Sequence, residues 1–462
     1  MSRVLISAAH KSSGKTTVSI GLCAALKKRG LAVQPFKKGP DYIDPMWLST
    51  ASGRTCRNLD FYLMGGDEII GNFVKYSTDA DFSLIEGNKG LYDGLDLEGS
   101  NSNAALANLL QTPVVLVIDA RGVTRGIAPL ILGYQAFDRN IRIAGVILNK
   151  LGGARHEGKL RAVIEHYTDV PVIGAVHHDP RLEIVERHLG LVPSNEADAA
   201  LLRTEEIGAI IGAQVELDKL LSVGATAPAL AQKYFPMRET TISFALPNVK
   251  IGLLRDRAFG FYYADDLEAL VQAGAELVQI DALHDAHMPQ VDGLFIGGGF
   301  PELLMDGLEA NETLRHDIRA SIEAGLPAYA ECGGLMYLSR SLTWRDNTRR
   351  MVGVIPGDVV MHEKPVGRGY VRLRETLEHP WPIAQQERAE RLGHEFHYSS
   401  LENLEGAQKY AYEVERGAGI DGRHDGLVYK NLLASYAHFR SLQGDNWASR
   451  FVDFVRACGR NG

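Results

Sequence analysis

The residues best suited to chemistry fall towards opposite ends of the chain. Late in the sequence, "AYAECGG" (328–334) sets Cys332 between Ala330 and Gly334. Small residues two places either side of a nucleophile let a strand turn sharply into a helix and expose the side chain. A cysteine at a helix start is also favoured as thiolate. Upstream, "FIGGGFPE" (295–302) can present backbone N–H groups, that of Gly298 among them, and Gly333 another, as an oxyanion hole. A base is required. His438 in "NLLASYAHFR" (431–440) is the first choice; His394 or His397 in "GHEFHYS" (393–399) is the second. A buried core cysteine is the plain alternative, since that residue type is so often internal. The glycines upstream and the histidine downstream weigh against it. Cys23 lies on the apolar face of the first helix, and Cys56 and Cys458 have no supporting cluster.

Near the start, "AAHKSSGKTT" (8–17) is a variant of the phosphate-binding loop G-x-x-x-x-G-K-[ST], with Ala9 at the first glycine. Gly14, Lys15 and Thr16 match, after a strand-like run and before a helix-like one. Backbone N–H groups there would cradle phosphates, with Lys15 on β/γ oxygens and Thr16 on Mg²⁺. A variant class of such loops carries an extra lysine early; strict spacing puts it at 10, where His10 stands, so Lys11 receives no role. In "KKGPDYIDPMW" (37–47), Asp41 and Asp44 follow a strand, where a ligand crevice opens in parallel sheets. They suit Mg²⁺, or ordinary turn chemistry. In "IEGNKGLYDG" (85–94), Glu86 ends a strand and Asp93 sits in a glycine-rich loop. Asn149 ends another strand and could read a purine edge.

These groups need a frame, and the apolar runs describe one. Short β-branched runs at 3–9, 32–38, 82–87, 113–120, 142–150 and 171–178 alternate with helical segments, the first over 16–30. The pattern predicts an α/β unit with a mostly parallel sheet covered on both faces. A second series follows at 250–256, 276–281, 293–302 and 327–334, with helices over 264–274 and 310–324. Shorter strand-like pieces come after, including 351–357 and 393–399. Between the series, 223–248 has no clear period and reads as a linker. Two tandem α/β domains, 1–222 and 249–462, are expected.

The bulk numbers agree. The chain has 462 residues, 45% hydrophobic and 23% charged, enough for large cores without staples. Its four cysteines form no CxxC pair, so neither a zinc site nor a disulfide framework is expected, and a reducing cytoplasm fits. A net charge of -8 gives no support for nucleic acid or a membrane surface as partner. No signal peptide is read, and no run reaches the roughly 18 apolar residues of a membrane span.

Taken together, "FKKGPDYIDP", "EGNKGLYDG", "ERHLGLVPS" (186–194), "AFGFYYADDLEAL" (258–270), "GGGFPE", "ECGGLMYL", "GHEFHYS" and "YKNLLASYAHF" resemble the cobyrinic acid a,c-diamide synthase family, in order and over nearly the whole chain. The resemblance implies a dethiobiotin-synthetase-like P-loop domain followed by a class I glutamine amidotransferase domain. It implies glutamine hydrolysis at Cys332 with His438, ATP and Mg²⁺ as cofactors, and amidation of the a- and c-acetates of a tetrapyrrole through an acyl phosphate. Gly14, Lys15, Thr16 and Thr17 would then serve the nucleotide, and Thr16, Asp41 and Glu86 the metal. Asp44 and Asp93 would serve carboxylate activation, and Tyr42 matches the family loop at the tetrapyrrole. Family habit suggests a homodimer, for which the sequence offers no independent argument.

Two departures stand out. Ordinary class I amidotransferases carry a glutamate two residues after the histidine; here Arg440 stands there, as suits a family that lacks the third member. Glu302 and Glu331 are the candidates to orient His438. The second departure is the stretch 86–110, where "NK" follows "EG" and the usual Gly-Ser-Thr segment is missing. It opens a sirohaem substrate beside the corrinoid. A ParA/MinD-like ATPase switch would leave 249–462 unexplained, and a simple cysteine hydrolase would leave the phosphate loop unexplained.

Overall fold

The computed structural model describes residues 1–184, 186–187, 190–195, 199–230, 248–381, 389–442 and 446–459. The chain divides into two compact units, Met1–Met237 and Arg238–Gly462. Most of the stretch read as a linker, 231–247, lies outside the described residues, as do 188–189 within "ERHLGLVPS". The helix Leu217–Ala225 runs past the expected linker start at 223.

In the first unit, every apolar run expected to be a strand is one. Seven parallel strands lie in the order Arg57–Leu59, Val33–Lys38, Phe82–Glu86, Arg3–Ala8, Val114–Asp119, Ile143–Leu151 and Val172–His177. Near-continuous apolar runs are what a sheet buried on both faces requires. Val4, Leu5, Ile6, Val115, Leu116 and Val117 are all fully buried. The edge strand Arg57–Leu59 was not expected: three residues, two of them polar, carry no readable alternation. The first helix is Lys15–Lys28, with Val18–Leu26 buried and Lys27 and Lys28 at the C-terminal end of its dipole.

The second unit has a nine-stranded mixed sheet. Its parallel half runs Ala275–Ile280, Val249–Leu254, Gly293–Ile296, Ala328–Glu331 and Leu432–Ser435. Its antiparallel half continues with His424–Tyr429, Lys409–Arg416, Gly367–Glu375 and Glu390–His397. That half then curls back. The last strand meets the segment after Leu432–Ser435, where His394 and His438 exchange backbone hydrogen bonds of 3.1 and 2.8 Å. The helix expected over 310–324 is Glu312–Glu323, preceded by a short unexpected one, Met305–Ala310, and the strand-like piece at 351–357 becomes the strand Ile355–Met361.

A buried carboxylate shapes the segment that leads to His438. Asp425, fully buried, accepts hydrogen bonds from Ser435 Oγ (2.7 Å), Tyr436 N (3.0 Å) and Ala437 N (3.0 Å). Backbone donors that leave a strand need such an acceptor when water is absent. Asp425→Ala is therefore expected to destabilise this unit by about 2 kcal/mol or more, seen as a lower urea midpoint by circular dichroism.

Candidate active sites

The phosphate loop sits where the sequence places it, between the strand Arg3–Ala8 and the helix Lys15–Lys28. Gly14 has φ +85°, and a Cβ there would lie 2.2 Å from Asn149 Nδ2, so backbone and space both demand glycine. Asn149 Nδ2 donates to Ser13 O at 2.9 Å, and Lys150 Nζ to Ser12 O at 2.9 Å. The amide read as a possible purine contact thus braces the loop. Thr17, third in the helix, follows Thr16 at the loop's exit.

Below the loop lies a cluster of buried charge. Thr16 Oγ1 donates to Glu86 Oε1 at 2.6 Å, with Asp44 Oδ2 3.3 Å away. The parallel register sets Lys37 beside Glu86 on the adjacent strand. Lys37 Nζ lies 3.1 Å from Glu86 Oε1 and 3.6 Å from Asp41 Oδ2, and bonds Asp44 directly. The side chains of Lys37 and Glu86 are 2% and 0% exposed. Burial favours a neutral amine, but Asp44, Glu86 and Asp41 outweigh it and hold the Lys37 ammonium well above its ordinary range. Burial pushes the Asp41 and Glu86 carboxyls up, against the pull of Lys37; for Asp44, Lys37 wins over burial and the carboxyl is held low. The Lys15 amine is lowered by burial and by the charge of Lys37.

Lys37 is the residue that sequence reading missed. Its signal was a lysine near the end of a buried strand, followed by two aspartates. The structure brings Lys15, Thr16, Asp41, Asp44 and Glu86 together around it. Tyr42 is buried at the start of the helix Ile43–Ser52, which carries Asp44. Asp93 stands outside this cluster, exposed, with Oδ2 accepting Gly90 N at 2.9 Å.

The donor set fits Mg²⁺. Glu86 Oε2 is buried and has no hydrogen-bond partner, which leaves a hard oxygen beside the Thr16 hydroxyl. Among the described residues no cluster of three or more His, Cys, Asp or Glu forms a metal cage alone. Mg²⁺ at phosphate sites needs none, because one or two carboxylates, water and phosphate oxygens complete its shell.

In the second unit, the strand Ala328–Glu331 ends at Cys332, which has φ +46° and ψ −98° and begins the helix Gly333–Leu338. This is the strained elbow expected of a nucleophile on a strand-to-helix turn, but the cysteine is buried, at 7% exposure, and not presented to solvent as expected. A Cβ at Gly334 would lie 2.3 Å from Ile296 O, so the elbow packs directly on the neighbouring strand. A Cβ at Gly298 would lie 2.7 Å from His438 Cε1, and one at Gly333 2.9 Å from Gly299 N. The glycines read as oxyanion donors therefore border the same centre.

His438 hydrogen-bonds Cys332, and its Nδ1 lies 3.1 Å from Glu331 Oε2. Burial opposes the charged ring, but the bonds to Cys332 and Glu331 outweigh it and lift the imidazolium to about 10. The alternative bases take other roles. His394 stacks on His438 with centroids 5.0 Å apart, and burial with that charge beside it pushes its ring well below the ordinary range. His397 stacks on Tyr436 and bonds Ser399 O. Arg440 turns away to pair with Asp265 and lies over the Tyr263 ring. Glu302 is buried in the single turn Pro301–Leu303.

Comparison with known proteins agrees with both halves. Residues 5–192 match the CobQ/CobB/MinD/ParA nucleotide binding domain, and 250–446 the CobB/CobQ-like glutamine amidotransferase domain. A phosphate loop in one α/β unit and a Cys–His centre in another define a glutamine-hydrolysing, ATP-dependent carbon–nitrogen ligase. The chain belongs to the cobyrinate a,c-diamide synthase family. It is 46% identical to the cobyrinate a,c-diamide synthase of Magnetococcus marinus, over 99% of this chain and 98% of that protein. It is 42% identical to those of Methanosarcina acetivorans (98% and 95% covered) and Archaeoglobus fulgidus (97% and 96%). Among the described residues no helix is long and apolar enough to cross a membrane.

Removing Lys37 strands three carboxylates against one another. Lys37→Ala is expected to destabilise the first unit by about 3–5 kcal/mol, measured by chemical unfolding. The deficit shrinks as pH falls, because Asp41 and Glu86, whose carboxyls already sit high, take up protons.

Proposed function

We propose that this protein amidates the a- and c-acetate carboxylates of cobyrinic acid, using ATP and glutamine. The observation that carries the reading is the pairing of two unlike centres in one chain, an anion-binding loop above Lys37 and its carboxylates, and a Cys332–His438 pair. The corrinoid substrate is supported by the relatives, which carry the cobyrinate name across their full length. Sirohaem remains the second tetrapyrrole reading, motivated by the unusual stretch 86–110.

The chemistry follows from the acceptor. A carboxylate resists attack by ammonia until one oxygen becomes a leaving group. In the region 1–222, a substrate carboxylate oxygen attacks the terminal phosphorus of ATP and ADP departs. Ammonia then attacks the acyl carbon, the C–O bond breaks, and phosphate leaves an amide behind. Gly14, Lys15, Thr16 and Thr17 hold the phosphates. Thr16 and Glu86, with Asp41 and Asp44, would hold Mg²⁺, which would supply positive charge against the phosphate oxygens. Lys37 keeps Asp44 ionised and holds Asp41 and Glu86 in place. Tyr42 and Asp93 line the substrate side.

In the region 249–462, Cys332 Sγ attacks the glutamine side-chain carbonyl, and backbone N–H groups at Gly298 and Gly333 stabilise the oxyanion. His438 hands a proton to the departing nitrogen, and ammonia leaves. It then accepts a proton from water as the thioester is hydrolysed to glutamate. Free ammonia is mostly protonated at neutral pH, so release from glutamine supplies the reactive base.

The test is mass spectrometry of cobyrinic acid and of sirohaem incubated with enzyme, ATP and glutamine. Two OH→NH₂ exchanges on cobyrinic acid are expected. Exchange on sirohaem alone would overturn the substrate. Cys332→Ser is expected to lower glutamine-dependent amidation on the order of 10³-fold or more, while added ammonia restores product.

A further inference from the structure

The histidine of a Cys–His pair needs something to aim its ring and hold its charge. Position 440, where a carboxylate would be sought, holds Arg440, and that guanidinium is engaged with Asp265. The carboxylate at His438 comes instead from the residue directly before the nucleophile. We infer that Glu331 is the positioning residue that aims His438 at Cys332. The inference rests on the glutaminase reading and extends it.

Geometry makes this possible at one kind of turn only. Consecutive strand residues point to opposite faces. The positive φ of Cys332 breaks that alternation, so Glu331 and Cys332 both reach the same imidazole. Glu331 is itself fixed from two sides. Tyr329, two residues earlier on the same face, donates its hydroxyl to Oε1 at 2.6 Å. Phe439 N, next to the histidine, donates to Oε1 at 3.2 Å. Oε2 is thereby turned to His438 Nδ1 at 3.1 Å, which leaves Nε2 for Cys332. Glu331 is 3% exposed, so neither water nor a mobile rotamer competes for the contact. The same backbone turn that sets the nucleophile at the strand end supplies the orienting carboxylate. The charged and titratable groups around the pair are Cys332, Tyr329, Tyr262, Asp266, His394 and Arg440.

Because Glu331 touches the base and not the substrate, Glu331→Gln is expected to lower kcat for glutamine hydrolysis on the order of 10²-fold or more, with KM little changed. Glu331→Asp, which keeps the charge, recovers part of the loss. A second readout is independent of turnover. The NMR titration of the His438 ring is expected to fall by about one unit or more from Cys332→Ser to Cys332→Ser/Glu331→Gln. Equal kcat in wild type and Glu331→Gln, or an unchanged His438 titration, would overturn the assignment. If Glu331→Gln does not fold, ¹⁵N NMR of Cys332→Ser decides alone: a His438 Nδ1 that carries no hydrogen-bonded proton overturns the assignment. A wild type without glutaminase activity would instead sink the underlying reading, and the titration would still decide the contact.

Discussion

A charge removed from water must meet an opposite charge or a full set of hydrogen bonds, and both centres of this protein are built on that constraint. In the first unit, the Lys37 ammonium lies among Asp41, Asp44 and Glu86, with almost no exposure. In the second, His438 is held between Cys332 and Glu331. Each arrangement is costly to break from one side. The Arg440–Asp265 pair beside His438 obeys the same rule and keeps a second cation from facing the base.

The sheets deliver these partners from distant parts of the chain. Parallel strands end together, so their last residues and the loops beyond converge on one edge. Lys37 and Glu86 meet because their strands are neighbours in register. Glu331 and Ser435 are register partners too, and the three residues after Ser435 carry the chain to His438. Asp425 secures that short span by collecting its N–H groups. The elbow at Cys332 adds a local reversal, turning two adjacent side chains towards one ring.

Some of this was legible beforehand. Apolar runs long enough to be buried on both faces named the six longer strands of the first sheet, since burial there admits few other residues. The loop at Gly14–Thr16 was readable because phosphate binding demands glycine, lysine and a hydroxyl at fixed spacing. Cys332 was readable because an elbow demands small neighbours. The short edge strand Arg57–Leu59 and, apart from the piece read at 393–399, the antiparallel half of the second sheet were not, since brief or half-exposed strands impose little on composition.

What the sequence determined by itself was therefore local: the phosphate loop, the elbow, the alternation of strands and helices, and the types of side chain available for chemistry. Those follow from backbone sterics and from burial, which act over a few residues. What only the tertiary structure decided was partnership. Lys37, Asp44 and Glu86 share one pocket of charge, and Glu331 meets His438, because register and the curl of a sheet set those distances. A pair such as Glu331 and His438, 107 positions apart, leaves no mark in local spacing.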